Sequence, residues 1–288
     1  MTHHMRGIRS MPFHIMETID AGRDLEGLVQ DTKRDGLVYT VPVLRNAVLG
    51  GLGIRRKKTA ENVVVVGCAC YGTLDAVMSG FRLLDALGID YTVLDKEYCC
   101  GAPMIAFQVR TGGDRATGDE AAKEFIGMNI ALAREMGAKR ILYFCLWCIY
   151  LARRFYPDCD VEQLYYLDML AEPMAQASLK LDRPTGIAYF PGGQHRSWVY
   201  APDRDWDLDW STYRGWLDRV DGLKVVDIPK YCCVIAPDAI FQKAEQHDMS
   251  TVVTPCMACY GRLQRRAPEG VRVKFLSDML LEALPSGG

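Results

Sequence analysis

The sequence predicts an α/β protein of two homologous Rossmann-like units with small parallel sheets, preceded by an N-terminal arm. Three observations predict it. Short β-branched runs alternate with segments of helical period from Asn62 onward. Each cysteine pair follows such a run directly, where open α/β sheets place ligands. The order of the first half then recurs in the second, and 288 residues is roughly twice a usual domain.

The elements follow in order. Val63-Val64-Val65-Val66 is a buried-strand run that ends at Gly67-Cys68. Thr73 to Leu87 carries Leu74, Val77, Phe81, Leu84 and Leu87 at helical spacing and stops at Gly88. Asp90 to Leu94 is a second strand, followed by Tyr98-Cys99-Cys100-Gly101-Ala102-Pro103. Glu120 to Met136 is an amphipathic helix closed by Gly137. Arg140 to Phe144 is a strand, and Cys145-Leu146-Trp147-Cys148 opens the next helix. In the second half, Gly186 to Phe190 leads to Pro191-Gly192-Gly193-Gln194-His195. Leu223 to Ile228 leads to Tyr231-Cys232-Cys233, and Thr251 to Thr254 leads to Cys256-Met257-Ala258-Cys259. Tyr166-Leu167-Asp168-Met169-Leu170 is echoed by Phe275-Leu276-Ser277-Asp278-Met279-Leu280. The units span residues 61–172 and 185–288, joined around Pro173 to Pro184.

Residues 1–60 form the arm. It lacks cysteine, ends in Arg55-Arg56-Lys57-Lys58, and reads either as a segment packed on the body or as a docking segment for a partner subunit. Its most apolar stretch, Gly36 to Ile54, is broken by Pro42, Arg45 and Asn46, so no spanning membrane segment is expected. The N-terminus has no secretory pattern, which points to a cytoplasmic protein. A formal charge of -2 gives no reason to expect nucleic acid as a partner.

Eleven cysteines carry the chemistry. Ten fall in the pairs 68/70, 99/100, 145/148, 232/233 and 256/259; Cys159 stands alone. In a reducing compartment such pairs indicate metal binding or redox chemistry. A C-x-x-C at a strand-to-helix turn aims two soft sulfurs at one site, and the helix N-terminus favours their thiolates. Thioredoxin-like sites and zinc knuckles share that spacing. The adjacent Cys99-Cys100 changes the reading. Neighbours in extended backbone point to opposite faces, so the pair suits a multi-iron core better than one ion. With Cys68 the first half offers five thiolates, more than tetrahedral zinc or a four-cysteine cubane uses.

The arrangement Cys68 … Cys99-Cys100-Gly101 … Cys145-x-x-Cys148, duplicated along one chain, resembles the CCG cysteine-rich domains of the heterodisulfide reductase B subunit over roughly residues 62 to 283. The resemblance implies a non-cubane [4Fe-4S] cluster held by Cys68, Cys99, Cys100, Cys145 and Cys148, with Cys70 the less favoured candidate. It implies a small thiol, disulfide or sulfur-carrier substrate, a ferredoxin-like iron–sulfur C subunit and an FAD-containing A subunit. The chain would be an oxidoreductase subunit acting on sulfur groups within a complex. An electron conduit in a flavoprotein or quinone-linked dehydrogenase complex and a zinc-stabilised scaffold are the competing readings.

The second half departs from the pattern. Gly192-Gly193 stands where its first cysteine is expected, and Val234 replaces the glycine after Cys232-Cys233. Cys232, Cys233, Cys256 and Cys259 remain, with His195 near the vacant position. They can hold a second iron–sulfur cluster, a zinc ion or no metal. Trp147 is read as a cover for the first cluster or as a core aromatic. The Trp206, Trp210 and Trp216 segment, rich in Asp, is read as a partner contact or a solvated loop with aromatic anchors. Arg110, Arg115 and Arg196 are read as surface charge, and Cys159 as a bystander.

Overall fold

A computed structural model describes residues 24–38, 40, 42–54, 56–192, 203–229, 231, 233 and 236–285. Among these, the first half builds strands β1 (Asn62–Val65), β2 (Thr92–Val93), β3 (Arg140–Tyr143) and β4 (Glu162–Tyr165). They form one parallel sheet in the order β2-β1-β3-β4. The second half builds β5 (Lys180–Tyr189), β6 (Asp221–Asp227), β7 (Thr251–Thr254) and β8 (Arg272–Phe275). Their order, β6-β5-β7-β8, is the same, and every pairing is parallel. The protein is therefore α/β with two sheets of one topology. Strands β1 and β7 are buried throughout, as parallel strands covered on both faces must be.

In each sheet the chain leaves its first strand to one side and returns across it to place the third. That reversal makes a crevice at the carboxyl ends of β1 and β3. The connections are helices: α3 (Leu74–Ala86) after β1, α4 (Ala102–Thr111) and α5 (Arg115–Glu135) after β2, and α6 (Leu146–Phe155) after β3. They follow α1 (Leu25–Asp35) and α2 (Pro42–Gly51) of the N-terminal arm. Helix α5 begins at Arg115 rather than Glu120, because Asp114 caps it by accepting the Ala116 amide hydrogen bond at 2.9 Å.

The halves share one core. Helices α10 (Met257–Arg266) and α11 (Leu276–Ala283) of the second half lie against the first. Tyr165 donates to the Pro255 carbonyl at 2.7 Å, and Tyr166 and Ser277 share a hydrogen bond at 2.9 Å. Tyr260 hydrogen-bonds Asp75. The echoed segments thus meet: the rings of Tyr166 and Phe275 stack with centroids 6.4 Å apart.

Where it is described, the tryptophan segment is a solvated loop with aromatic anchors: Asp203, Asp205, Asp207 and Asp209 are exposed, and Trp216 is buried. Trp206 stacks on Tyr150 at 5.2 Å, the Arg153 guanidinium lies over Trp206, and Asp207 accepts from Tyr150. It leads into α8 (Trp210–Asp218), capped by Asp209, and covers the outer face of α6. No described helix is long and apolar enough to cross a membrane.

Candidate functional site

The first-half cysteines come together at the β1/β3 crevice. Beyond β1 the chain turns through Gly67 into a 3-10 turn, Cys68–Gly72. Beyond β2 it runs through Glu97 and Tyr98 to Cys99-Cys100, and Gly101 then starts α4 with φ +77°. A side chain at Gly101 would strike the backbone of Ala122 on α5, so only glycine lets the CC pair turn here. Beyond β3, Cys145 is the N-cap of α6, with Cys148 one turn on.

The sulfurs form a series. Cys68 Sγ lies 3.2 Å from Cys99 Sγ. Cys99 contacts Cys100, Cys100 contacts Cys148, Cys148 contacts Cys145, and Cys145 contacts Cys70. All six are buried free thiols. Cys159 is elsewhere, beside Asp160 and Arg134. Cys70 is the residue the sequence undervalues: it belongs to the same series as the five expected ligands. The only signal for it is its spacing of two from Cys68.

Protonation in this series is lopsided. The Cys145 thiol is held well below its ordinary range by the Cys148 and Cys70 hydrogen bonds, helped by the Trp147 and Cys148 amides at the start of α6. The others are pushed up. Cys70 is raised by its bond to Cys145 and by burial, Cys148 by its bonds to Cys100 and Cys145, and Cys99 chiefly by burial. At Cys100, the bond from Cys148 works downward, but the bond to Cys99 and burial carry the net shift upward. At Cys68, the bond from Cys99 likewise works downward against burial and neighbouring charge, which prevail. Negative charge in the series is thus favoured most at Cys145.

The N-terminal arm organises this site, a role the sequence does not reveal. The Cys99 amide donates to the Gly36 carbonyl at 2.7 Å, and Lys96 Nζ donates to the Lys33 carbonyl at 2.9 Å. From α2, the buried Arg45 donates to the Leu94 carbonyl at 2.7 Å and the Asp95 carbonyl at 3.1 Å, and pairs with Glu97 at 3.5 Å. Glu97 Oε1 accepts the Gly67 amide hydrogen at 2.6 Å, next to Cys68. Arg45 is visible in the sequence only as the charge that interrupts an apolar stretch.

In the second half, Cys256 is the N-cap of α10, as Cys145 is of α6. Cys259 Sγ lies 3.3 Å from Cys233 Sγ, and the Cys259 thiol is pushed up by its bonds to Cys233 and Cys256 and by burial. Gly192, at φ +61°, is the counterpart of Gly67, at φ +86°. A Cβ on Gly67 would lie 2.7 Å from Cys145 Cβ and 3.1 Å from Cys148 Sγ; on Gly192 it would lie 2.8 Å from Cys259 Sγ. The position matching Cys68 is therefore Gly193. Gly193, His195, Arg196 and Cys232 lie outside the described residues.

Residues 63–151 match the family described as a cysteine-rich CCG domain. The match takes in Cys68, Cys70, Cys99, Cys100, Cys145 and Cys148, the six thiols of the crevice. Relatives of the chain include the D subunit of dihydromethanophenazine:CoB–CoM heterodisulfide reductase from three Methanosarcina species. The M. barkeri protein is 28% identical over 138 residues, covering 46% of this chain and 32% of that one. The M. mazei protein is 26% identical over 137 residues, with 45% and 32% covered. The M. acetivorans protein is 33% identical over 107 residues, with 36% and 25% covered. The matched region thus spans about a third or less of those relatives. An aspartate racemase homologue from Pyrococcus horikoshii superposes at a TM-score of 0.33 and 11% identity, over 77% of this chain and 96% of that one. That score decides nothing about chemistry.

The donor set of this crevice suits a multi-iron core. Thiolates are soft ligands, and the series is buried from water. Among the described residues no three His, Cys, Asp or Glu side chains are arranged to hold a metal ion; the thiols touch one another instead. A core with several irons would be held by these sulfurs, and its binding would release their protons.

Proposed function

We propose that this chain is the iron–sulfur subunit of a heterodisulfide reductase-like complex, passing electrons to or from the sulfur of a thiol or disulfide. The observation that carries this reading is the buried thiol series at the first sheet's switch point. Cys68, Cys99, Cys100, Cys145 and Cys148 would hold a non-cubane [4Fe-4S] cluster. Such a group, when bound, couples one-electron transfer to two-electron S–S chemistry.

The chain's own residues set the conditions for that chemistry. Burial of the series excludes water, and the neighbouring Phe144 and Trp147 are buried too. The amides at the start of α6 stabilise negative charge on Cys145 Sγ. Reduction of a disulfide takes two electrons and two protons and yields two thiols; oxidation reverses that balance. Cys232, Cys233, Cys256 and Cys259 offer a second thiol site whose metal content is a separate question. The matches to the heterodisulfide reductase relatives support the oxidoreductase assignment and membership of a multi-subunit complex. A ferredoxin-like subunit and an FAD-containing one are the proposed partners.

Anaerobic purification tests the reading. The expected product is brown, with about four irons and matching acid-labile sulfide for the first site. Adding a disulfide to the reduced protein should produce a substrate-dependent paramagnetic signal. A colourless zinc protein overturns the reading. An iron protein without the signal shows a conduit rather than a catalyst.

A further inference from the structure

The ligand set proposed above needs five thiols, and the pocket contains six. The sixth is placed by the fold in the same way as the fifth. Cys68 and Cys70 share one 3-10 turn, held by the Cys70 amide donating to the Gly67 carbonyl at 3.1 Å. With about three residues per turn, positions two apart project in different directions from the axis. Here each direction finds a different partner: Cys68 meets Cys99 of the CC pair at 3.2 Å, and Cys70 meets Cys145 of the C-x-x-C pair. The turn therefore closes the thiol series into a ring, running 68, 99, 100, 148, 145, 70.

A buried cysteine away from such chemistry behaves as a small apolar side chain. Cys70 does not sit in that way. Its sulfur bonds to Cys145, the thiol that Cys148 also bonds. Cys70 and Cys68 are buried to nearly the same degree, 3% and 5% exposed. Gly67, immediately before them, leaves the turn free of any side chain that would separate it from Cys145 and Cys148.

We propose that Cys70 and Cys68 are interchangeable ligands of the first-half centre: either thiol of the turn completes the five-thiolate set. This rests on the reading of that centre as a multi-iron site. In the exchange one metal–sulfur bond breaks and another forms, and one proton passes from the incoming thiol to the outgoing thiolate. No electron and no net charge is transferred.

Iron and acid-labile sulfide per chain, with the visible absorption, are measured on the anaerobically purified full chain and on Cys68→Ser, Cys70→Ser and the double variant. Both single variants should keep iron within about twofold of the unaltered protein, while the double variant falls to about a tenth or less, the loss expected when a ligand position has no donor. Depletion of Cys68→Ser to the level of the double variant overturns the inference, because Cys70 then fails to substitute. Depletion of Cys70→Ser alone to that level also overturns it, as does a double variant that keeps its iron. The matching Cys→Ala set separates ligand loss from the cost of a buried hydroxyl. An unaltered protein without iron defeats the reading of the centre itself, a result distinguishable from the others.

Discussion

Replacing Arg45 by Met removes the cation that α2 inserts beside the thiol series. Arg45 and Glu97 have side chains only 3% and 0% exposed, so the carboxylate is left in a dry site without its counter-charge. Breaking a buried pair from one side costs about 3–5 kcal/mol. Two further losses are the guanidinium hydrogen bonds to the Leu94 and Asp95 carbonyls, about 1 kcal/mol each. Two things moderate the total: Glu97 keeps the Gly67 amide, and it can take up a proton. We expect a net loss of about 3–4 kcal/mol near neutral pH.

The pH dependence gives this prediction its sign. Burial raises the Glu97 carboxyl above its ordinary range, and Arg45 is the leading influence pulling it back. A carboxyl raised in the folded state binds its proton more tightly there. Its contribution to stability therefore falls as pH rises from the unfolded value through the folded one. Without Arg45 the folded value climbs further and that window widens. Urea unfolding of the Arg45→Met variant should thus show a smaller loss near about pH 5 than near about pH 8, and Glu97→Gln in the same background should recover about 1–2 kcal/mol at the higher pH. A loss below about 1 kcal/mol, or one that does not change with pH, refutes the argument that the pair is a buried charge compensation.

Three other perturbations have defined outcomes. Gly67→Ala places a Cβ 2.7 Å from Cys145 Cβ at a φ of +86°, and should cost about 2–4 kcal/mol in denaturant unfolding and reduce the iron content. Tyr165→Phe strips the Pro255 carbonyl of its 2.7 Å partner between the halves, an expected loss of about 1–2 kcal/mol without loss of first-site iron. Asp209→Ala removes the cap of α8, which accepts from the Thr212 amide at 3.0 Å, and should lower stability by about 1 kcal/mol. The hydroxyls of Ser211 and Thr212 hold the Asp209 carboxyl below its ordinary range, so its contribution is present above the unfolded value and is lost as pH falls through the folded one. The variant should lose that acid-side dependence in thermal melts.

The central strands are legible because they are buried on both faces and read as unbroken β-branched runs, as in Val63-Val64-Val65-Val66. Strand β4, Glu162-Gln163-Leu164-Tyr165, and β8, Arg272-Val273-Lys274-Phe275, carry no such signal. Each is a four-residue edge strand that mixes polar and apolar residues and is too short for alternation to stand out. The five first-half cysteines are legible because their chemistry and spacing are local to strand ends. What Arg45 and Gly36 do is not. Their partners lie some fifty to sixty residues further on, and nothing in a helix of the arm says that its one buried charge reaches Glu97 or that its terminal carbonyl receives Cys99.

The two thiol sites are not independent parts of this fold. Phe144, next to Cys145, packs its ring 4.6 Å from Tyr166; Tyr165, the next residue back, hydrogen-bonds Pro255, next to Cys256. All of these aromatic side chains are fully buried, so a displacement of Cys145 or Cys256 has no soft medium to dissipate in. The second half also keeps the glycine-mediated approach to its C-x-x-C helix at Gly192, although its sequence has Gly193 where the first half has Cys68. A Cβ at Gly192 would lie 2.8 Å from Cys259 Sγ and 3.0 Å from Thr254 Oγ1, so the approach leaves no room for a side chain. The contacts through Tyr165 and Tyr166 join the two halves next to Cys145 and Cys256.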